Sequence, residues 1–222
     1  MRDPGHRGLI IPYPVSMPMQ GEQRHLGERF RDELGIAQDA PVILFLGRVT
    51  AQKGVLELLE AFDLLWQRRH DAILVLIGPP DGQYGAAVAE RIGHLSSRPN
   101  IHLLGPAYGE KKSSAWATAS LFVTLSQNEG LPNAVLEAMA WGLPVVITPQ
   151  ANLPDVAGYN AGAVVAANPG NVADALERLL EDPTQLKQMG RNARRLVEER
   201  FTSEKVLPQM LALYERIVHN RR

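Results

Sequence analysis

The sequence contains no cysteine among its 222 residues. This absence excludes disulfide bonds, thiolate zinc sites, iron–sulfur clusters and cysteine nucleophiles. It fits a reducing compartment, and we expect a cytoplasmic protein. The six histidines are scattered along the sequence without the spacing of metal ligands. We therefore expect no metal and no cofactor.

Long apolar runs are absent as well. The longest, at 42–46 and 72–77, fall far short of the roughly 18 residues that a membrane helix needs. The first residues also lack the apolar core of a signal peptide. The sequence thus excludes an integral membrane protein, whereas peripheral association of the full protein with a membrane surface stays open.

Neither sign of charge is in excess, because the sequence has 23 Lys and Arg residues and 24 Asp and Glu residues. The formal net charge is −1. A dedicated nucleic-acid binder carries a basic surface, so we expect no nucleic-acid partner. The sequence also lacks the G-x-G-x-x-G fingerprint, the P-loop and the G-x-S-x-G elbow. These absences remove the best-known dinucleotide, nucleoside-triphosphate and hydrolase motifs.

What is present is an alternation of short apolar runs with segments of helical periodicity. Continuous apolar strands joined by helices predict a parallel sheet that is buried on both faces. Strands are predicted at 42–46, 73–77, 101–104, 121–125, 144–147 and 163–165. Helices are predicted at 21–35, 55–69, 84–96, 110–118, 132–140, 171–181, 184–199 and 203–218.

The length corresponds to about one and a half domains, which argues against two full α/β domains. We predict one Rossmann-like α/β domain with three layers around a central parallel sheet. It covers residues 21–205 and lies between an extended, proline-rich tether (1–20) and a C-terminal helix (206–222).

The loops that follow the first four strands are predicted to lie at one edge of the sheet. They comprise residues 47–54, 78–84, 105–110 and 126–132. In open α/β sheets, ligands bind outside the carboxyl ends of the strands. The sequence therefore predicts the functional site at this edge.

The first of these loops carries two cations, Arg48 and Lys53. Arginine offers a planar fork of donors and lysine a compact charge. Beside the N–H groups of a helix start, they would suit a diphosphate. The alternative is a solvated loop whose charges contact only water. The spacing of the two residues does not decide between diphosphate binding and this alternative.

The last of these loops leads into a helix and carries the carboxylates Glu129 and Glu137. Eight residues at helical rise separate them by about 12 Å along the axis. Paired glycosidase carboxylates lie about 6.5–9.5 Å apart, so the spacing suits the two ends of an extended ligand better. The alternative makes Glu129 a helix cap and Glu137 a solvated residue. Apolar neighbours at 138–141 weaken that alternative, because a carboxylate among them needs partners such as sugar hydroxyls.

The helix start between the two glutamates is a candidate phosphate site. It offers the backbone N–H groups of Gly130, Leu131, Asn133 and Ala134. The helix dipole and these N–H groups favour an anion.

Four segments together resemble the C-terminal domain of retaining glycosyltransferases of family 4. The segments are 41–54 (PVILFLGRVTAQKG), 105–112, 119–147, which contains the E-x7-E region, and the tail from 189 to 201. The likeness spans roughly residues 36–205. Members of this family have the GT-B architecture, in which two Rossmann-like domains face each other across a cleft. The resemblance implies that this chain binds the nucleotide-diphosphate sugar donor. The acceptor glycan, lipid or small molecule would need an N-terminal domain, without which the chain would be inactive or weakly active.

The resemblance also implies roles for individual residues. Arg48 and Lys53 would hold the donor diphosphate and neutralise the leaving group, and Glu129 would contact the transferred sugar. These three are the candidate catalytic residues, and Glu137 would bind the ribose hydroxyls. The remaining donor-binding candidates are Gly47, Gly78, Pro106, Ala107, Gly130, Leu131 and Asn133. The cations and the helix dipole would replace a metal.

Two segments depart from the family pattern. Relatives often read I-P-x-G-V-D before this domain, whereas residues 11–16 read IPYPVS here. A proline thus replaces the hinge glycine, and Leu131-Pro132 stands where many relatives have Phe-Gly, which removes one N–H donor. The last helix would expose Val206, Leu207, Met210, Leu213 and Ile217, a patch expected to favour self-association.

Other functions remain open at this stage. The chain could be a non-catalytic nucleotide-sugar-binding or regulatory subunit that pairs with a separate acceptor domain. A GT-B epimerase acting on the same donors and a Rossmann-like domain without a ligand are further alternatives, since fold alone does not fix function.

Overall fold

The computed structural model describes residues 11–18 and 23–219. In this part of the chain, six parallel strands form one sheet with the order β3-β2-β1-β4-β5-β6. The strands are β1 (Val42–Leu46), β2 (Ile73–Ile77), β3 (Ile101–Leu104), β4 (Leu121–Thr124), β5 (Val145–Ile147) and β6 (Gly162–Val164).

Helices connect successive strands and cover both faces of the sheet. They are α1 (Gln23–Leu34), α2 (Val55–Trp66), α3 (Gly82–His94), α4 (Gly109–Thr118), α5 (Asn133–Ala140), α6 (Asp155–Gly158), α7 (Pro169–Glu181), α8 (Pro183–Arg200) and α9 (Ser203–His219). Short 3-10 turns add to them at 51–53, 98–100 and 149–151.

Alternate residues of each strand point to two hydrophobic clusters. Ile43 and Phe45 pack with α2, α3 and α7 on one face. Val42 and Leu44 pack with α1, α4 and α5 on the other. Burial on both faces explains why the strands are apolar without alternation. The arrangement confirms the predicted three-layer α/β fold.

The predicted elements are confirmed with shifts of a few residues at their ends. The helix predicted at 55–69 ends at Trp66. The helix predicted from residue 132 begins one residue later, because Pro132 has an extended backbone and occupies the N-cap position. The short helix α6 had no counterpart among the predictions. Residues 1–10, 19–22 and 220–222, which include parts of the predicted tether, first helix and C-terminal helix, lie outside the described residues. The division of the chain at residues 20 and 205 stays a prediction.

The last helix, α9, exposes an apolar surface that differs from the predicted one. Val206 is fully buried, so its predicted exposure is wrong, because α9 contacts α8. Met210 and Leu213 are half-buried. The exposed large apolar residues of this helix are Leu207, Leu211, Tyr214, Ile217 and Val218. None of the helices within residues 23–219 is long and apolar enough to cross a membrane.

Candidate functional site

The strand order places a crevice at the carboxyl edge of the sheet. From β1 the chain moves to β2 and β3 on one side, and it then returns to β4 on the other side of β1. The loops after β1 and β4 therefore diverge to opposite sides, and ligands of open α/β sheets bind between such loops. Because every strand is parallel, all four predicted loops lie at this edge, as the sequence predicted.

Three contacts join the loop after β1 to the loop after β4. The Gln52 amide donates to the backbone oxygen of Asn128 at 2.6 Å. The backbone N–H of Gln127 donates to the oxygen of Gln52 at 2.8 Å. The Lys53 ammonium forms an ion pair with the Glu129 carboxylate. These contacts bring together two of the candidate residues, the cation and the carboxylate that the sequence placed in separate motifs.

The Lys53–Glu129 pair is largely shielded from solvent, since the two side chains are 21% and 13% exposed. The alternative in which the cations of the first loop contact only water is therefore wrong for Lys53. For Arg48, whose exposed side chain forms no hydrogen bond or ion pair with any described residue, both alternatives stay open. Arg48 is available to a ligand. A ligand that binds Lys53 or Glu129 would have to share or replace the contact between these two side chains.

Gly54 allows the two loops to approach each other this closely. Its φ is 65°, in the left-handed region, and it caps the start of α2. A Cβ at this position would lie 2.5 Å from the backbone oxygen of Leu125 and 2.7 Å from its Cβ. Both glycine properties, the left-handed backbone and the missing side chain, are used here.

Glu129 is fixed from its backbone as well as from its side chain. Its N–H donates to the oxygen of Gln150 at 3.1 Å, and its carbonyl accepts a hydrogen bond from the Asn152 amide. Asn152 itself has a left-handed backbone, with φ 53°. The alternative that made Glu129 a helix cap is wrong, because Pro132 occupies the cap position and the carboxylate binds Lys53.

The start of α5 lies directly after Glu129. The backbone N–H groups of Gly130, Leu131, Asn133 and Ala134 find no acceptor within the described part of the chain. The first N–H groups of a helix are unpaired in general and attract anions. Helical rise applies only from Asn133 onward, so the separation of about 12 Å between the two glutamates stays a prediction.

Glu137 lies one turn into α5 and pairs with a residue that the sequence did not indicate. Its Oε2 is 2.7 Å from the Nζ of Lys112 in α4, and each side chain is about one-third exposed. The alternative of a simply solvated Glu137 is therefore wrong. Sequence spacing could not reveal Lys112, because the two residues lie on separate helices that only the tertiary fold brings together.

Two cavities lie beside α5 and meet at Asn133. The smaller one, about 340 Å³, is bordered by both members of the Lys112–Glu137 pair. The larger one, about 950 Å³, is bordered by Gly130 and Leu131 and reaches the junction of α8 and α9. Four of the donor-binding candidates thus border open space suited to an extended ligand, namely Gly130, Leu131, Asn133 and Glu137, whereas Glu129 borders neither cavity.

The segment 11–18 forms a wall of both cavities. Tyr13 borders each of them and is 74% exposed. The backbone N–H of Val15 donates to the oxygen of Phe201 at 2.8 Å, and the Val15 side chain is buried. The sequence predicted an extended tether here, and the described part is free of regular secondary structure but packs against the domain.

Among the remaining candidates, Gly78 has a structural reason for its identity. A Cβ on Gly78 would overlap the backbone oxygen of Gly47 at 1.7 Å, so close packing of the first two loops requires a glycine there. In the third loop Pro106 is exposed. Ala107 is buried in the core with α4. His102 lies in β3, the strand predicted at 101–104, and burial lowers its pKa.

Comparison with known proteins is consistent with this geometry. Residues 27–196 match the family model described as glycosyl transferases group 1. An uncharacterized glycosyltransferase of Methanocaldococcus jannaschii is 28% identical, over 93% of this chain and 52% of the relative. The chain spans about half the length of the curated relatives it matches.

Solved structures share the fold. Anabaena HepE in complex with UDP-glucose superposes with a TM-score of 0.78 and 19% identity, over 86% of this chain and 53% of that one. The C-terminal domain of a group 1 glycosyl transferase, LpcC from Francisella tularensis, superposes with a TM-score of 0.70 and 20% identity. The superposition covers 86% of this chain and 96% of that one. The family match covers most of the chain, and the fold is of the GT-B, Rossmann-like type. The chain therefore belongs to the group 1 family of glycosyltransferases.

Proposed function

We propose that this chain binds a nucleotide-diphosphate sugar in the crevice between the loops after β1 and β4. The observation that carries the proposal is the Lys53–Glu129 pair beside the N–H groups at the start of α5, which have no acceptor among the described residues. A cation and a helix start suit the diphosphate, and a carboxylate beside them suits sugar hydroxyls. The UDP-glucose bound to HepE, which has the same fold, supports the proposal.

In the proposed mechanism the protein stabilises the leaving diphosphate. As the bond between the sugar C1 and the phosphate oxygen breaks, negative charge grows on the β-phosphate. Lys53, Arg48 and the N–H groups at the start of α5 would stabilise that charge. Fixed donors of this kind need no metal in the proposed site.

We further propose that the transfer retains the configuration at C1 through displacement on the front face. The acceptor hydroxyl would form its bond to C1 from the side that the diphosphate leaves, and its proton would pass to the departing phosphate oxygen. Glu129 would hold the sugar hydroxyls while releasing part of its contact with Lys53. Glu137 would bind the ribose hydroxyls at the other end of the donor.

The chain is proposed to be the donor-binding half, which corresponds to the C-terminal domain of a family 4 enzyme. Its near-complete overlap with the LpcC C-terminal domain supports this assignment. The acceptor, a glycan, a lipid or a small molecule, would be held by a second domain, and the half alone would transfer little sugar.

Calorimetric titration of the 222-residue chain with UDP-, GDP- and ADP-glucose tests the proposal. We expect one nucleotide sugar to bind. Lys53→Ala and Glu137→Ala should each weaken it at least about tenfold, the cost of a lost hydrogen bond to a charged group. Lys187→Ala, at an exposed position near the opposite edge of the sheet, is the control and should bind normally. Absence of binding to any donor would refute the proposal. Tight binding with no transfer after addition of a complementing domain would favour the non-catalytic alternative.

A further inference from the structure

The ion pair between Lys112 and Glu137 lies in the cavity beside α5. The Lys112 ammonium contacts Oε2 of Glu137 at 2.7 Å. Among residues 11–18 and 23–219, no residue other than Lys112 forms an ion pair with the Glu137 carboxylate. A carboxylate accepts several hydrogen bonds, so it keeps acceptor positions for a ligand in the cavity that both side chains border.

A purely structural role explains this pair poorly. Helix α4 is already held by the buried side chain of Trp116 and by Thr118, whose hydroxyl donates to the oxygen of Gly27 at 3.1 Å. Helix α5 is held by five buried apolar residues. Each member of the pair is about one-third exposed, and such pairs contribute little to stability. The position of the pair in the cavity is therefore its more informative property.

The charge of Glu137 creates a problem for an anionic ligand. Four residues of helix separate Asn133 from Glu137, or about 6 Å along the axis. A diphosphate at the start of α5 would then lie close to the Glu137 carboxylate and be repelled by it. The ammonium of Lys112 is the positive charge that neutralises this carboxylate.

We propose that Lys112 is a positioning residue of the donor site. Its ammonium holds one oxygen of Glu137 and offsets the negative charge, and the carboxylate keeps acceptor positions for hydrogen bonds from the ribose hydroxyls of the nucleotide. This inference rests on the proposed function, because it assumes that a nucleotide occupies the cavity.

Nucleotide pairs with and without ribose hydroxyls test the inference. Binding of UDP, GDP and ADP to the 222-residue chain is measured by calorimetry, and the tightest of them is compared with its 2′,3′-dideoxy counterpart. The variants are Lys112→Met, which removes the charge, Lys112→Gln as a second neutral form, and Lys112→Arg, which keeps the charge. Lys111→Met, at the exposed neighbouring position, is the matched control.

We expect the neutral variants to bind the ribonucleotide about fivefold more weakly, the upper range for a part-exposed ion pair. Their preference for the ribonucleotide over the dideoxy form should shrink, whereas Lys112→Arg should recover most of it. The control should match the wild type. Urea midpoints of all variants separate loss of binding from loss of folding.

Four results would overturn the inference. Neutral variants with a lower urea midpoint and unchanged ribose preference would make Lys112 a structural tie only. Tighter ribonucleotide binding in these variants would make Lys112 a competitor of the ribose. If no nucleotide binds the wild type, the proposed function and this inference fall together. If Lys53→Ala abolishes binding while the Lys112 variants bind as the wild type does, only this inference falls.

Discussion

Replacing Gly54 by alanine is expected to lower the stability of the fold through two effects that act at the same position. One is the left-handed backbone at φ 65°, and the other is the collision of a new Cβ with Leu125 at 2.5 Å. Gly35 offers a matched control, because its φ is 67° and no atom lies within 4 Å of its Cβ position. The same substitution at Gly35 therefore measures the backbone effect alone.

The expected magnitudes follow from these two geometries. A Cβ in the left-handed region costs roughly 1–2 kcal/mol, and the lower entropy of the unfolded alanine chain returns about 0.4–1 kcal/mol. Gly35→Ala should therefore lower the free energy of unfolding by about 1 kcal/mol. Leu125 is fully buried and cannot yield easily, and overpacking costs about 1–3 kcal/mol more. The expected loss for Gly54→Ala is about 2–4 kcal/mol.

Urea unfolding of both variants, followed by circular dichroism, measures the difference. In a thermal scan each kcal/mol corresponds to a shift of about 2–4 °C for a chain of this size. Nucleotide affinity should fall for Gly54→Ala alone, because the new methyl group pushes Lys53 away from Glu129. Equal losses of stability in the two variants would refute the reasoning, since the collision would then cost nothing.

Three further predictions concern other parts of the fold. Burial lowers the pKa of His102 below its usual 6.5, so the unfolded chain binds more protons between the two values. Its contribution to stability is therefore present above pH 6.5 and is lost as the pH falls through the folded pKa. His102→Gln should reduce the increase of the urea midpoint with pH in this window. The control His94→Gln, at an exposed position, should leave that increase unchanged. Asp182→Ala removes the side chain that accepts from two N–H groups at the start of α8 and should cost about 1 kcal/mol, whereas Asp182→Asn should retain most of the stability. If α9 mediates self-association, Leu211→Glu should lower the average mass in sedimentation equilibrium, and an unchanged mass would count against that role.

The order of strands and helices could be predicted from local sequence patterns. Runs such as 73–77 are apolar throughout because both faces of the sheet are covered. The helix start predicted at Pro132 illustrates the limit of prediction from local sequence. Proline is common at the first helical position, but Pro132 has an extended backbone and precedes the helix.

The candidate site was predicted in part. The motifs placed Lys53 and Glu129 at the same edge of the sheet, but nothing in the sequence indicated that they pair with each other. Lys112 and Tyr13 were missed, because one lies on a different helix from Glu137 and the other in a segment predicted as a tether. Such residues carry no local signal, since their role depends on what the fold brings beside them.

The sequence by itself determined the fold class and the edge of the sheet where the site lies. It did so because apolar periodicity and the loops after parallel strands are local properties of the chain. Only the tertiary structure decided which charges meet. The approach of the first and fourth loops, made possible at Gly54, pairs Lys53 with Glu129. The packing of α4 beside α5 pairs Lys112 with Glu137, and ion pairs between distant segments depend on distances that a linear pattern does not contain.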